Sequence, residues 1–329
     1  VALDNKFDKT SGSFRFFYNF GEHNITDGFH SKDNNYGIVL YQAFNLFKGN
    51  TITVGADLKK YGGIAENQTS VYGDTTVFET AGYVYAQQDL FQKLILNAGF
   101  RLEHNSVYGN EPVPTIGLAY HATSSTTIKA SAAKGFRSPT IKELYLWKPA
   151  NDELEPERMM NYEVGVIQKL LKERLSLELT VFKADGKNLI KTVNFKNINT
   201  GKFSNLGVEF AGAFRPNKNL SFNANYSYIS MDEPIVATPE QQLFVSGTYK
   251  WNKFAINISA QHVENLYTQT NPTLEINSYT LLNSKVSYTI NKYVDVFVKG
   301  ENLTNAKYYI NYKYPMPGIL AFGGVNLHF

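Results

Sequence analysis

The chain has 329 residues, a net charge of +3, no cysteine, and 14% aromatic residues, nearly all Tyr and Phe. The lack of cysteine excludes disulfides and thiolate metal sites, and the small charge without a basic run argues against a nucleic-acid partner. No stretch approaches the roughly 18 consecutive apolar residues of a membrane-spanning helix. A helical membrane protein is therefore excluded, whereas a membrane β-barrel, whose strands are only half apolar, is not.

Apolar and polar residues alternate in segments that recur along the whole chain. A period of two is typical of strands with one apolar face and one polar face. The clearest segments are residues 52–59, 94–103, 175–181, 220–228, 254–261 and 294–299. The end of the chain continues the pattern, with apolar or small residues at Ala321, Gly323, Val325 and Leu327 and an aromatic residue, Phe329, at the terminus.

Short polar turns separate these segments. They lie near Gly49, Gln92, Ser124, Lys172, Asn217, Asn252 and Lys292. Their spacing leaves room for two long strands and one long loop between successive turns, an alternation that is typical of outer-membrane barrels. Seven turns join fourteen strands, and a strand near residues 12–20 and the final strand complete the set. The sequence therefore predicts an all-β fold, an antiparallel transmembrane β-barrel of about 16 strands, as one domain over residues 1–329.

Several motifs follow one another from residue 134 onward. In chain order they are KGFRSPTIKELY at 134–145, NYEVG at 161–165, SNLGVEF at 204–210, ENLTNAKYY at 301–309 and YPMPG at 314–318. Asn151, Leu154, Pro156 and Glu157 stand between the first two. In this order the motifs resemble the signature of TonB-dependent outer-membrane receptors, here the C-terminal part of their β-barrel.

The residues that carry the resemblance are interpreted as residues of the fold rather than as ligand contacts. They are Gly135, Phe136, Arg137, Pro139, Glu143, Pro156, Glu157, Glu163, Gly165, Asn205, Gly207, Glu209, Asn302, Asn305 and Phe329. Pro139 suits the end of a strand because it cannot donate to a ladder. The glycines suit places where the wall is crowded or bends. The charged residues Arg137, Glu143, Glu157 and Glu163 are expected near the lumen or mouth, where they can pair.

The resemblance implies a location in the outer membrane of a Gram-negative bacterium, in contact with its lipid, and a function in active uptake. In this family an external ligand binds the loops and the outer face of an N-terminal plug, and the inner-membrane TonB complex pulls on the plug. The expected cargo is a scarce, bulky nutrient, a ferric siderophore or cobalamin. Haem is less favoured because the loop histidine of haem receptors is missing between Arg137 and Glu157.

A complete family member has a plug, a TonB-contacting segment near its start and 22 strands. The plug and the first six strands are therefore expected to be missing from this chain. The terminal Phe329 resembles the signal that the barrel-assembly machinery recognises, which makes that machinery an expected partner. A surface lipoprotein is a further candidate partner.

Aromatic side chains in the predicted long loops are candidates for ligand binding, because aromatic groups with a few placed polar groups suit a bulky chelate or macrocycle. The candidates are Tyr72, Tyr108, Tyr145, Trp147 and Tyr267. The six histidines lack metal-ligand spacing. No nucleophile or phosphate-binding motif occurs. The sequence therefore predicts no resident metal, no cofactor and no catalytic residue.

A passive porin of sixteen strands is the alternative, because a barrel of that size can enclose a water-filled channel. Ion conductance distinguishes the two, since a plugged receptor stays closed and a porin conducts. An outer-membrane enzyme or adhesin is a third interpretation. The absence of a Ser/His constellation makes the enzyme the least favoured of these.

Overall fold

The computed structural model of the chain describes residues 1–270 and 272–328, with the side chains of all of these except residues 270, 273 and 275–277. Phe329, the predicted C-terminal signal, lies outside the described residues. Within them the chain folds into nineteen strands and one helix of five residues. No helix in this part of the chain is long and apolar enough to cross a membrane.

Long strands make up most of the chain. The elements before residue 171 are β1 (Ala2–Lys6), β2 (Thr10–Asn24), β3 (His30–Phe44), β4 (Asn50–Glu66), β5 (Val71–Leu90), β6 (Leu94–Asn105), β7 (Gly109–His121), β8 (Thr126–Arg137), α1 (Ile141–Tyr145) and β9 (Glu157–Leu170). The later ones are β10 (Leu175–Val193), β11 (Lys196–Asn217), β12 (Leu220–Ser230), β13 (Pro239–Trp251), β14 (Phe254–Thr270), β15 (Thr273–Asn291), β16 (Val294–Glu301), β17 (Tyr309–Asn311), β18 (Tyr314–Pro315) and β19 (Leu320–Leu327). Among the described residues sixteen strands have eight or more residues, which confirms the predicted number; β1, β17 and β18 are shorter.

The chain divides into two compact units. The first comprises Val1–Tyr120, Lys129–Tyr162 and Ala184–Phe203, and the second His121–Ile128, Glu163–Lys183 and Ser204–Phe329. In the first unit, each strand from β1 to β6 pairs antiparallel with the next, up to β7. In the second, β11 to β16 pair in the same way, and β16 then pairs with β19. Within each unit, successive long strands are therefore neighbours in the sheet.

The pair formed by β16 and β19 shows how the alternating sequence is used. Directly opposite residues of an antiparallel pair share one face, and here Val296 faces Val325 and Val298 faces Gly323. Val298 is 66% and Val325 60% exposed. The residues between them, such as Asp295, turn to the opposite face. The predicted C-terminal stripe is therefore an exposed apolar face, the arrangement that suits lipid.

Seven short connections coincide with the predicted turns. They are residues 45–49, 91–93, 122–125, 171–174, 218–219, 252–253 and 292–293. Several turn residues adopt the left-handed conformation that tight reversals use, with φ of 75° at Gly49, 56° at Gln92, 57° at Lys172 and 51° at Asn252. The positions of the tight turns are therefore confirmed.

The connections at the other ends of the strands differ from the predicted long loops. Most of the expected loop length is strand: only residues 67–70 separate β4 from β5, and only residues 194–195 separate β10 from β11. Continued strand pairing gives each backbone N–H and C=O a hydrogen-bond partner. In a loop the same groups would need side chains or water as partners. In the part of the chain that the structure describes, the long connections between long strands are residues 138–156 and residues 302–319.

The motif glycines differ in the space around them. A Cβ on Gly207 would come within 2.2 Å of the Phe182 ring and 2.8 Å of the Tyr228 carbonyl oxygen, so crowding is confirmed there. A Cβ on Gly165 would lie 2.8 Å from Thr180 Oγ1. No such crowding surrounds Gly135, where the nearest atom to a Cβ is a methionine methyl 4.0 Å away.

We expect Gly207→Ala to destabilise the folded chain by about 1–3 kcal/mol, because the new methyl group overlaps an aromatic ring and a strand carbonyl. The measurement is the urea midpoint of the folded band in unheated SDS gels. Gly135→Ala is the matched control and should leave the midpoint unchanged. Equal midpoints for the two variants would contradict the crowding explanation.

Candidate functional site

The connection of residues 138–156 in the first unit begins with a helix cap. The Thr140 hydroxyl accepts a hydrogen bond from the Glu143 amide at 3.2 Å, and the Glu143 carboxylate accepts one from the Thr140 amide at 2.8 Å. This reciprocal pair is a capping box. It starts α1 directly after Pro139, a buried residue that follows the end of β8. The motif sequence therefore encodes where the strand stops and the helix begins.

Arg137 joins the strand wall to this connection. Its guanidinium donates two hydrogen bonds to Glu143, at 2.9 and 3.1 Å, and one to Glu157 at 2.7 Å. Glu157 also accepts a hydrogen bond from the Ile190 amide at 2.8 Å. The motif charges Arg137, Glu143 and Glu157 therefore pair, as predicted. Burial by itself raises the pKa of Glu143, but the hydrogen bonds from Arg137 and Thr140 outweigh it and hold that pKa below its ordinary value.

Buried side chains fix the rest of the connection. Leu144 and Leu154 are 3% and 2% exposed. The Asn151 side chain donates to the Asn197 carbonyl at 2.8 Å, and its backbone amide donates to the Glu143 carbonyl at 2.9 Å. A connection with buried apolar side chains and satisfied backbone groups presents its exposed residues on a rigid support.

Phe29, Tyr72 and Trp147 meet on this support and form what we call the aromatic cluster. The Trp147 ring centroid lies 5.3 Å from that of Phe29 and 5.7 Å from that of Tyr72, both in edge-to-face geometry. The Lys142 ammonium lies 5.4 Å from the Trp147 ring centroid. Trp147 is 38% exposed, and the Tyr72 hydroxyl accepts a hydrogen bond from Asn67 at 2.8 Å. The cluster combines a partly exposed aromatic surface with one cation.

The other predicted ligand residues lie in different surroundings. Tyr108 is half-buried, and its hydroxyl hydrogen bonds Ser138 at 2.7 Å. Tyr145 ends α1 and is half-buried. Tyr267 belongs to β14 of the second unit, where its hydroxyl donates to Glu240 at 3.1 Å. Of the five candidates, the structure therefore joins Tyr72 and Trp147 in one cluster.

Paired charges line the polar face of the first unit. Glu111 is 1% exposed and pairs with Lys134 at 2.5 Å and Arg158 at 2.9 Å. Arg101 pairs with Asp57 at 2.5 Å in the same unit. Burial of these carboxylates is tolerated because each has a cationic partner. Sequence reasoning did not single out Glu111, although its position within an alternating strand was an available signal.

Phe29 and Lys142 were also missed. Phe29 follows Gly28 in a polar stretch, and Lys142 lies within the first motif. A loop aromatic residue next to a turn glycine was a usable signal, but nothing local indicated its contact with Trp147.

A family model described as "TonB dependent receptor-like, beta-barrel" matches residues 2–303. The chain belongs to the TonB-dependent receptor family. Receptors of this family are β-barrels of the outer membrane, and they are not enzymes. In outer-membrane barrels the apolar faces of the strands contact lipid and the short turns lie on the periplasmic side.

Similar proteins include transporters and receptors. The vitamin B12 transporter BtuB of Photobacterium profundum is 22% identical over 274 residues, which are 78% of this chain and 44% of that protein. The probable TonB-dependent siderophore receptor PiuA of Acinetobacter baumannii is 21% identical over 214 residues, covering 57% of this chain and 28% of that protein. The crystal structure of the siderophore receptor PirA from Pseudomonas aeruginosa matches with a TM-score of 0.80 at 19% identity, over 98% of this chain and 60% of that one. The chain spans less than half the length of these two curated relatives.

The later family motifs organise the second unit. Asn302 is 5% exposed, and its side chain donates to the carbonyls of Ala306 at 3.0 Å and Pro317 at 3.1 Å. Its backbone carbonyl accepts from the amide of Asn305, which has a φ of 52°. Asn302 thereby ties both ends of the 302–319 connection together.

The remaining motif residues lie in ordinary strand positions. Phe136 is half-buried on β8, and Pro156 is buried just before β9. Asn205 is 4% exposed on β11. Glu209 lines a polar cavity of β10–β13, and Glu163 lies on β9.

We expect Arg137→Ala to lower the free energy of local opening of the 138–156 connection by roughly 1–2 kcal/mol, because two partly buried carboxylates lose their shared cation. This magnitude lies between those of exposed and buried ion pairs. Amide hydrogen exchange at residues 140–146 measures the loss. Lys196→Ala is the matched control, since it removes a partner of Glu153 from a pair exposed on both sides. Exchange that is equally fast in both variants would contradict the role of Arg137.

Proposed function

We propose that the protein is a receptor for TonB-dependent active uptake of a scarce, bulky nutrient, a ferric siderophore or cobalamin, across the outer membrane. The observation that carries the proposal is the aromatic cluster with Lys142, held on a connection that Arg137 fixes to the strand wall. The names of similar proteins, vitamin B12 transporters and a siderophore receptor, support the same class of cargo.

The cluster suits a large ligand. Its three rings offer apolar contact area on side chains with few rotatable bonds, which keeps the entropy lost on binding low. Lys142 adds a positive charge beside Trp147, which complements an anionic chelate or the phosphate of cobalamin. Because the connection is already packed, little ordering is required when ligand binds.

The other predicted aromatic residues have subsidiary roles in this proposal. Tyr108 and Tyr145 lie on or beside the 138–156 connection and would line the approach to the cluster. Tyr267, held by Glu240 in the second unit, is a separate candidate contact.

We propose that residues 1–329 form one barrel domain and that a plug elsewhere in the protein occludes it. The TonB complex would act through that plug, and the barrel-assembly machinery would recognise the C-terminal strand. The partial coverage of the curated relatives is consistent with this division.

We expect Trp147→Ala to weaken ligand binding about tenfold, because a partly exposed tryptophan at the centre of a binding site is a common energetic hot spot. Titration calorimetry of the intact protein with ferric catecholate, ferric hydroxamate and cyanocobalamin identifies the ligand and measures the change. Tyr72→Phe keeps the ring but loses the hydroxyl that Asn67 contacts, so it should bind nearly as the parent does.

Trp251→Ala is the matched control for that titration. Trp251 lies at a short turn, stacked on Phe254 with ring centroids 6.1 Å apart. Its removal should leave ligand affinity unchanged. Equal affinity of the Trp147→Ala variant and the parent for the ligand that binds would remove the aromatic cluster from the site.

Ion conductance tests active uptake against the passive porin. We expect the intact protein in planar bilayers to stay closed, because a plug fills the lumen, and to conduct once the plug is unfolded with urea. Steady conductance of the intact protein without denaturant would instead support a porin.

A further inference from the structure

An apolar groove of about 710 Å³ lies on one face of β10–β14 in the second unit. Its principal residues are Gly212, Phe214, Phe222, Gly247, Tyr249 and Ile258. We refer to it as the apolar groove. Phe222, Tyr249 and Ile258 are each more than 40% exposed, so the groove is open on the surface.

Strand register places the groove on the lipid-facing side. Gly247 lies directly opposite Phe222 on one neighbouring strand and Ile258 on the other, so the three share one face. Residues at alternate positions, such as Glu209 and Gln242, line a polar cavity instead. In an outer-membrane barrel the apolar face contacts hydrocarbon.

Glycine makes the groove, although the backbone does not require glycine there. A Cβ on Gly247 would meet only the Phe222 ring, at 3.4 Å, and one on Gly212 would meet Phe210 at 3.4 Å and Leu177 at 3.6 Å. A Cβ on Gly207, by contrast, would lie 2.2 Å from an atom of the Phe182 ring. Glycine inside a strand weakens it, and often marks a place where another molecule approaches closely.

Basic residues surround the end of the groove nearest the short turns. They are the turn residues Lys172, Arg174, Lys218 and Lys253, all exposed, and we call them the basic rim. Leu175 and Leu220, which follow the short turns that carry Arg174 and Lys218, line the groove. The one acidic residue of these turns, Glu173, is paired with Lys169 at 3.6 Å. Positive charge therefore predominates beside an apolar surface.

We propose that the apolar groove and the basic rim together bind an anionic phospholipid of the periplasmic leaflet. An acyl chain occupies the groove, because hydrocarbon requires no hydrogen-bond partner. The phosphate lies among the cations of the basic rim, which is on the periplasmic side with the other short turns. Trp251, stacked on Phe254 at the same turn, marks the level of the membrane interface. Charge complementarity selects a phospholipid over an uncharged occupant.

Native mass spectrometry of the intact protein tests the proposal. The protein is exchanged into nanodiscs of phosphatidylglycerol and phosphatidylcholine with identical acyl chains, and the lipid retained after release is counted. One phosphatidylglycerol per protein is expected, and its retained fraction should fall about tenfold in an Arg174→Gln, Lys218→Gln variant. The matched control is Lys48→Gln, Lys93→Gln, which removes two cations from short turns of the first unit and should retain lipid as the parent does.

A second variant fills the groove. Gly212→Leu, Gly247→Leu should abolish selective retention, whereas Gly82→Leu, at an open glycine opposite the exposed Leu102 of β6, should not. Equal retention of both lipids by the parent would overturn the proposal. The proposal would also be overturned if the parent showed a dimer peak that the Gly212→Leu, Gly247→Leu variant lost, because a second copy of the chain would then be the occupant of the groove. The charge variant keeps the test decisive if the filled one does not fold.

Discussion

Backbone hydrogen bonding in hydrocarbon is the constraint on which this structure depends. Lipid offers no partner to a free N–H or C=O, so each strand has to pair along its length. Pairing with period-two alternation places apolar residues such as Val298 outward and leaves the other face to polar ones. The same pairing extends into segments that would otherwise be loops, as where Glu66 of β4 still faces Val71 of β5.

Charged residues on the inner face pair with one another, and the candidate site is built on that network. Glu111 holds two cations on the wall, and Arg137 continues the pattern at the end of β8. Because Arg137 binds Glu143 within the capping box, the wall, the helix and the 138–156 connection form one hydrogen-bonded unit. Trp147 therefore stands on a connection that hydrogen bonds hold rigid, as they do the barrel wall.

Glycines serve two different purposes in the second unit. Gly207 allows the Phe182 ring to lie against the strand, and a larger residue would have no room. Gly212 and Gly247 have room beside them and leave it open on the lipid side. The space beside Gly207 is filled by the chain itself, whereas the space beside Gly212 and Gly247 is open to the membrane. The contrast depends on which face a residue occupies, which strand register decides.

The sequence by itself determined the alternating strands, the seven tight turns and the family, because period-two patterning, turn residues and motif strings are local properties of the chain. It also indicated, through the family motifs, that Arg137, Glu143 and Glu157 lie near the lumen or mouth, where they can pair. Only the tertiary structure decided that Phe29 and Tyr72 meet Trp147, that Glu111 binds Lys134 and Arg158, and that Gly135 is not crowded. These contacts join residues far apart in the chain, and they depend on the register of strands and the direction of side chains, which no local pattern encodes.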